Sequence, residues 1–218
     1  MPTGWMIGSL VIKGSMLITL VSFLLAFLII FLFQPLKKEK LKGALDLNGN
    51  ALFIFLLGLW MGKILIHFPL FLEDPIAVLA YPSDSFAFYW AFLFFIIYLF
   101  IPKKETIPHR IETIYISVFL YSLASIFYYF LPVILGGELI NIASFLFFIF
   151  LVIVMLSFDK RLTKQSLITL ALMIFGIGNI LLTIYTSHTL FGYSLSVWFY
   201  SLFLVLAIST FMSKKLHR

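Results

Sequence analysis

The sequence predicts an all-α, polytopic membrane protein with about seven transmembrane helices, its N-terminus outside and its C-terminus in the cytoplasm. Three observations carry that expectation. Hydrophobic residues make up 63% of the 218-residue chain and charged residues only 11%, against about 45–50% and roughly 25% in a soluble domain. The apolar residues gather into seven runs, each near the ~20 residues that a spanning helix needs. The basic residues fall almost entirely into alternate gaps between those runs.

The first run covers residues 10–33. No basic segment precedes it and no small-x-small site follows it, so it reads as a span and not a cleavable leader. The polar stretch 34–50 reads as a cytoplasmic loop with room for a short interfacial helix. Residues 51–72 form the second span and residues 85–101 the third. The apolar stretch from 111 to 158 is too long for one crossing. Pro132 and the Gly136-Gly137-Glu138 triplet divide it into spans 111–135 and 139–158. Spans 166–185 and 193–212 complete the set. The runs are continuously apolar, which argues against the alternation of barrel strands. Tyr81, Trp90, Tyr193 and Trp198 lie near the outer ends, where aromatic side chains anchor spans.

Charge sets the orientation. Lys37, Lys38, Lys40 and Lys42 follow the first span. Lys103, Lys104 and Arg110 follow the third, and Lys160, Arg161 and Lys164 follow the fifth. The tail carries Lys214, Lys215 and Arg218. Thirteen of the 15 basic residues thus share one side. The other side holds Glu73, Asp74, Asp84 and Glu138 and no lysine or arginine. Positive residues stay inside, which puts the basic loops in the cytoplasm of a bacterial cell.

The same residues exclude several functions. The chain has no cysteine, so disulfides, thiolate metal sites and cysteine nucleophiles are out. The net charge of +6 follows from topology and does not point to nucleic acid. No Walker loop, dinucleotide fingerprint, HExxH or GxSxG motif occurs. Neither metal nor cofactor is expected.

Ionisable residues inside spans are costly and mark function. Lys63 falls about midway along the expected second span. His67 follows at i+4 and Trp60 precedes at i−3, on roughly one face. In that setting Lys63 would hold the phosphate of an anionic lipid and His67 would carry a proton. The alternative is structural: Lys63 pairs with a carbonyl or with Glu138, and His67 bonds a neighbouring helix. Gly58 and Gly62, and Gly176 and Gly178, read as close-packing positions, with Asn179 as a polar tie between helices. His188 reads as a solvated loop residue. Asn141 and Glu138 begin the fifth span.

Several stretches resemble the prolipoprotein diacylglyceryl transferases, which move a diacylglyceryl group from phosphatidylglycerol to a lipoprotein cysteine. The opening Ile7-Gly8-Ser9-Leu10-Val11-Ile12-Lys13 resembles that family's start. Leu57-Gly58-Leu59-Trp60-Met61-Gly62-Lys63 resembles its G-A-R-x-G-Y segment, and Phe71-Leu72-Glu73-Asp74-Pro75-Ile76-Ala77-Val78-Leu79 is the nearest local match. Ile174-Phe175-Gly176-Ile177-Gly178-Asn179 is similar to the segment around Y-G-x-x-R. The family's histidine in S-F-H-G-G falls on Tyr89, its first arginine on Trp60 and its later arginine on Asn179. Of R-I-G-N-F-x-N-G-E only Gly137 and Glu138 survive. The resemblance therefore implies a shortened relative that binds phospholipid, with Trp60, Lys63, His67 and Asn179 as the lipid-binding candidates, or a lipidated or membrane-protein partner, without the usual catalysis. A rewired active transferase, with His67, Glu138 or Tyr89 catalytic, is one alternative. A small transporter or a membrane subunit of a larger complex is another.

Overall fold

A computed structural model describes residues 4–7, 10–80, 83–100, 110–136 and 141–216. Strands β1 (Gly4–Ile7) and β2 (Leu10–Lys13) pair antiparallel, Gly4 opposite Lys13 and Ile7 opposite Leu10. Nine helices follow among the described residues: α1 (Gly14–Phe33), α2 (Lys38–Ile66), α3 (Phe68–Glu73), α4 (Pro75–Ala80), α5 (Ser85–Phe100), α6 (Arg110–Ile134), α7 (Ile142–Phe158), α8 (Lys164–Tyr185) and α9 (Val197–Leu216). Helices α1, α2, α6 and α8 are long and apolar enough to cross a membrane. Shorter apolar stretches lie in α5, α7 and α9. Apart from the small hairpin, this is a helical membrane protein.

Four boundaries differ from the expectation. The first helix begins at Gly14, because Leu10–Lys13, with its β-branched Val11 and Ile12, is taken up by the hairpin. The stretch 34–50 is mostly helix: α2 starts at Lys38. Leu41, Ala44, Asn48 and Ala51 are buried along one stripe of helical spacing, which the surrounding charges conceal. The helix stops at Ile66, short of 72, because Pro69 opens α3 and cannot continue the hydrogen-bonded ladder. The last helix starts at Val197, not 193. The break after α6 falls at Leu135 and Gly136, where Gly136 has φ +77°. Asn141 caps α7 by accepting the Ser144 N–H at 3.0 Å. Gly137 and Glu138 lie outside the described residues.

Helix α6 is central and packs on α1, α2, α7 and α8. Helix α1 buries Ser22, Ala26 and Ile30 and exposes Leu17, Leu20, Leu24, Leu28 and Phe31. Helices α2 and α5 run antiparallel, with Gly58 beside Ala91 and Gly62 beside Ala87. The ends that carry the basic residues are tied by polar contacts. Lys40 bridges to Glu112, and Lys164 to Asp159. The Tyr115 hydroxyl donates to Asp159 at 2.8 Å. Asn48 joins α2 to α6: its amide donates to the Ala44 carbonyl at 2.8 Å and its oxygen accepts from Ser117 at 2.7 Å. Ser117 also donates to Thr113, so Asn48→Ala leaves that hydroxyl partnered. We expect Asn48→Ala to cost about 1 kcal/mol, read as a lower denaturation midpoint in mixed micelles.

Candidate functional site

Lys63 sits in the last turn of α2 and is 6% exposed. Its depth differs from the mid-span position expected. With the helix ended at Ile66 and Gly62 beside Ala87, Lys63 lies level with the first turn of α5. A cation there faces the negative end of the helix dipole. His67 caps the same helix, its backbone N–H donating to the Lys63 carbonyl at 2.9 Å, and its side chain is half-buried. Trp60 is 55% exposed and does not share the buried face with Lys63.

The other sequence candidates lie elsewhere. Tyr89 on α5 accepts the Ser196 N–H at 2.9 Å, and its ring lies 4.6 Å from that of Trp198 and 5.5 Å from that of Phe199. Beside it, Ser85 donates to the Ser194 carbonyl at 2.7 Å. Tyr89 therefore fastens the segment before α9 to the start of α5. Asn179 on α8 is fully buried and donates to the Phe175 carbonyl at 2.8 Å. Gly176 faces Tyr200 and Leu204 on α9, and Gly178 faces the Phe147 ring. No group of three metal-ligating side chains occurs among the described residues.

The constellation that the sequence hid is built around His188. Read as a solvated loop residue, it is in fact 5% exposed. The segment between α8 and α9 folds back into the bundle as a tight turn. Leu190 and Tyr193 exchange two backbone hydrogen bonds, of 2.9 and 3.0 Å. The two residues between them, Phe191 and Gly192, have φ +52° and +83°. Glycine adopts that left-handed region freely, but a bulky residue such as phenylalanine rarely does. The turn buries Leu190, Phe191 and Leu195. That apolar spacing was the signal that the segment is not solvated.

His188 Nδ1 lies 2.8 Å from the Ser144 hydroxyl and 3.5 Å from that of Tyr129. Tyr129 donates to the Thr189 carbonyl at 2.7 Å. Burial lowers the His188 pKa to about 4, so the ring is neutral near pH 7. The Ser144 hydroxyl and Nδ1 share a hydrogen bond whose direction sets which ring nitrogen carries the proton. Nε2 has no partner among the described residues, nor do the hydroxyl of Tyr121 or the side-chain oxygen of Asn179; these atoms are enclosed, as is the Tyr200 hydroxyl beside Thr183. They surround one aromatic core. The His188 ring is 6.1 Å from that of Tyr200. The Phe175 ring is 5.6 Å from Tyr121 and 6.3 Å from Tyr200. Thr183, beside Tyr200, donates to the Asn179 carbonyl at 2.7 Å, and its oxygen can still accept from the Tyr200 hydroxyl. An enclosed polar atom without a partner costs about 1–3 kcal/mol. Three in one core are where an ordered water or a ligand would bond.

Comparison with protein-family models, with characterised proteins and with solved structures finds no match to the chain.

Proposed function

We propose that the protein is a seven-span protein of the bacterial cytoplasmic membrane, N-terminus outside and C-terminus inside. In this reading it is akin in fold to the prolipoprotein diacylglyceryl transferases. It holds an anionic phospholipid, with phosphatidylglycerol the candidate, or a lipidated partner, and does not carry out transfer. The observation that carries this reading is Lys63, a cation buried in the last turn of a membrane-length helix. Burying a charge is costly, so such a residue marks a site of charge recognition. His67, at the same helix end, supplies a further donor.

Two points speak against transfer. Tyr89 stands at the position of the family's histidine, and a tyrosine is a poor base at neutral pH. Its hydroxyl is also occupied by the Ser196 N–H. Asn179 stands at the later arginine position and brings no charge for a phosphate.

The test has two arms. Purified protein is expected to retain phosphatidylglycerol by native mass spectrometry, and Lys63→Ala to retain about tenfold less. Labelled phosphatidylglycerol and a lipobox peptide are expected to give no labelled peptide, beside an active transferase as control. Label that disappears in Lys63→Ala or His67→Ala would show an active enzyme and overturn the reading. Absence of both label and bound lipid would overturn it in favour of a membrane subunit.

A further inference from the structure

The Phe191 ring occupies an aromatic cage. Its centroid lies 5.2 Å from that of Phe23 and 5.3 Å from those of Tyr121 and Tyr128. The turn holds Phe191 at φ +52°, a backbone state that is strained for a bulky residue. A phenyl ring fills the cage but offers no atom to the Tyr121 hydroxyl, which stays enclosed and unpartnered. Nearby, His188 Nε2 is enclosed and unpartnered as well, and the Tyr200 hydroxyl is enclosed beside Thr183. Tyr200 and His188 are both more than nine-tenths buried.

The chemistry of these groups selects a ligand. They are uncharged; each phenol can donate one hydrogen bond, and His188 Nε2 donates or accepts with the ring tautomer. Asn179 adds one acceptor. The electrostatic neighbours of Tyr121, His188 and Tyr200 among the described residues include no carboxylate, lysine or arginine, so an ion would find no counter-charge. Aromatic walls with uncharged donors suit a flat ring that bears carbonyl oxygens. The carbonyls accept from phenol and imidazole, and the ring faces pack on phenylalanine.

We propose that the turn carrying Phe191 is the stopper of a site for a quinone-class ligand, a flat uncharged carbonyl-bearing ring dissolved in the bilayer. The ligand's ring replaces that of Phe191. Its carbonyl oxygens take the hydrogen bonds of Tyr121 and of the His188–Tyr200 pair. The site binds; no electron transfer is part of the proposal. It does not depend on Lys63, which lies on α2 outside this cluster.

Menadione is the probe. Saturable quenching of the four tryptophans of the purified full chain gives its Kd. Tyr121→Phe deletes only an unpartnered hydroxyl, so it folds, and it is expected to weaken menadione binding about tenfold. Phe191→Ala removes the competing ring and is expected to tighten binding about tenfold. Unchanged affinity in Tyr121→Phe, or the absence of saturable quenching in the unsubstituted chain, would overturn the proposal. Should Phe191→Ala fail to fold, Tyr121→Phe alone decides it.

Discussion

Replacing Gly58 and Gly62 together with alanine is expected to force α2 and α5 apart and cost the protein about 2–4 kcal/mol. A Cβ at position 58 would lie 2.7 Å from the Ala91 Cα. One at position 62 would lie 2.8 Å from the Ala87 Cα and 3.0 Å from its carbonyl oxygen. Those are backbone atoms, so no rotamer change relieves the contact and the helices must separate. Overpacking of this kind costs typically 1–3 kcal/mol per site. Alanine's better helix propensity returns up to about 1 kcal/mol at each, and two sites in one interface do not simply add. The control lies in the same helix: a Cβ at Gly43 or Gly49 meets nothing within 4 Å. Alanine there is expected to be neutral or to stabilise by up to about 1 kcal/mol. Thermal unfolding followed by loss of monodisperse protein on size exclusion separates the two pairs. Equal melting of Gly58→Ala/Gly62→Ala and the unsubstituted chain would refute the close approach.

Acid is expected to loosen the α8–α9 turn through His188. Burial lowers its pKa from 6.5 to about 4, so the folded protein favours the neutral ring. As pH falls below 6.5, the unfolded chain takes up the proton first and stability drops with falling pH. The contribution is full above pH 6.5 and lost near pH 4. Integrated over that window it amounts to about 3 kcal/mol. The groups around the ring are the Ser144 hydroxyl and the Tyr129 and Tyr200 phenols, none of which becomes charged in that window. His188→Asn keeps a hydrogen-bonding atom near Nδ1 and cannot titrate. Its melting temperature should fall less than that of the unsubstituted chain between pH 7.5 and 4.5. Parallel curves would mean that His188 does not titrate as the buried ring requires.

Much of the helical pattern was legible in the sequence, and the failures have physical causes. Helices α5, α6, α7 and α8 fall within a few residues of the expected spans. Each is a continuous apolar run, and α7 and α8 open on the capping residues Asn141 and Thr163. The first half of α2 was missed because its lysines and Asp46 mask the stripe from Leu41 to Ala51. Lys63 looks mid-span because its apolar run continues to Leu72, whereas Pro69 ends the helix at Ile66 and leaves Lys63 in its last turn. His188 was missed for a different reason. Its burial depends on where a turn 190–193 lands in the folded bundle, and the apolar Leu190, Phe191 and Leu195 are the local hint of it. The hydroxyls of Tyr121 and Tyr200 were invisible, since tyrosine in an apolar helix looks like core until its neighbours are known.

The partnership of α1 with α6 also bears on how the chain is born. Helix α1 finds its helix partner in α6, on the order of 75 residues further along. At ~5–20 residues per second of synthesis, α1 must wait several seconds in the bilayer with its packing face uncovered. That face is the narrow stripe of Ser22, Ala26 and Ile30, and the Ser22 hydroxyl is already satisfied by the Ile18 carbonyl at 2.6 Å. A lone α1 therefore presents lipid with no unmet polar group on that stripe, and can outlast the delay until α6 emerges to meet it.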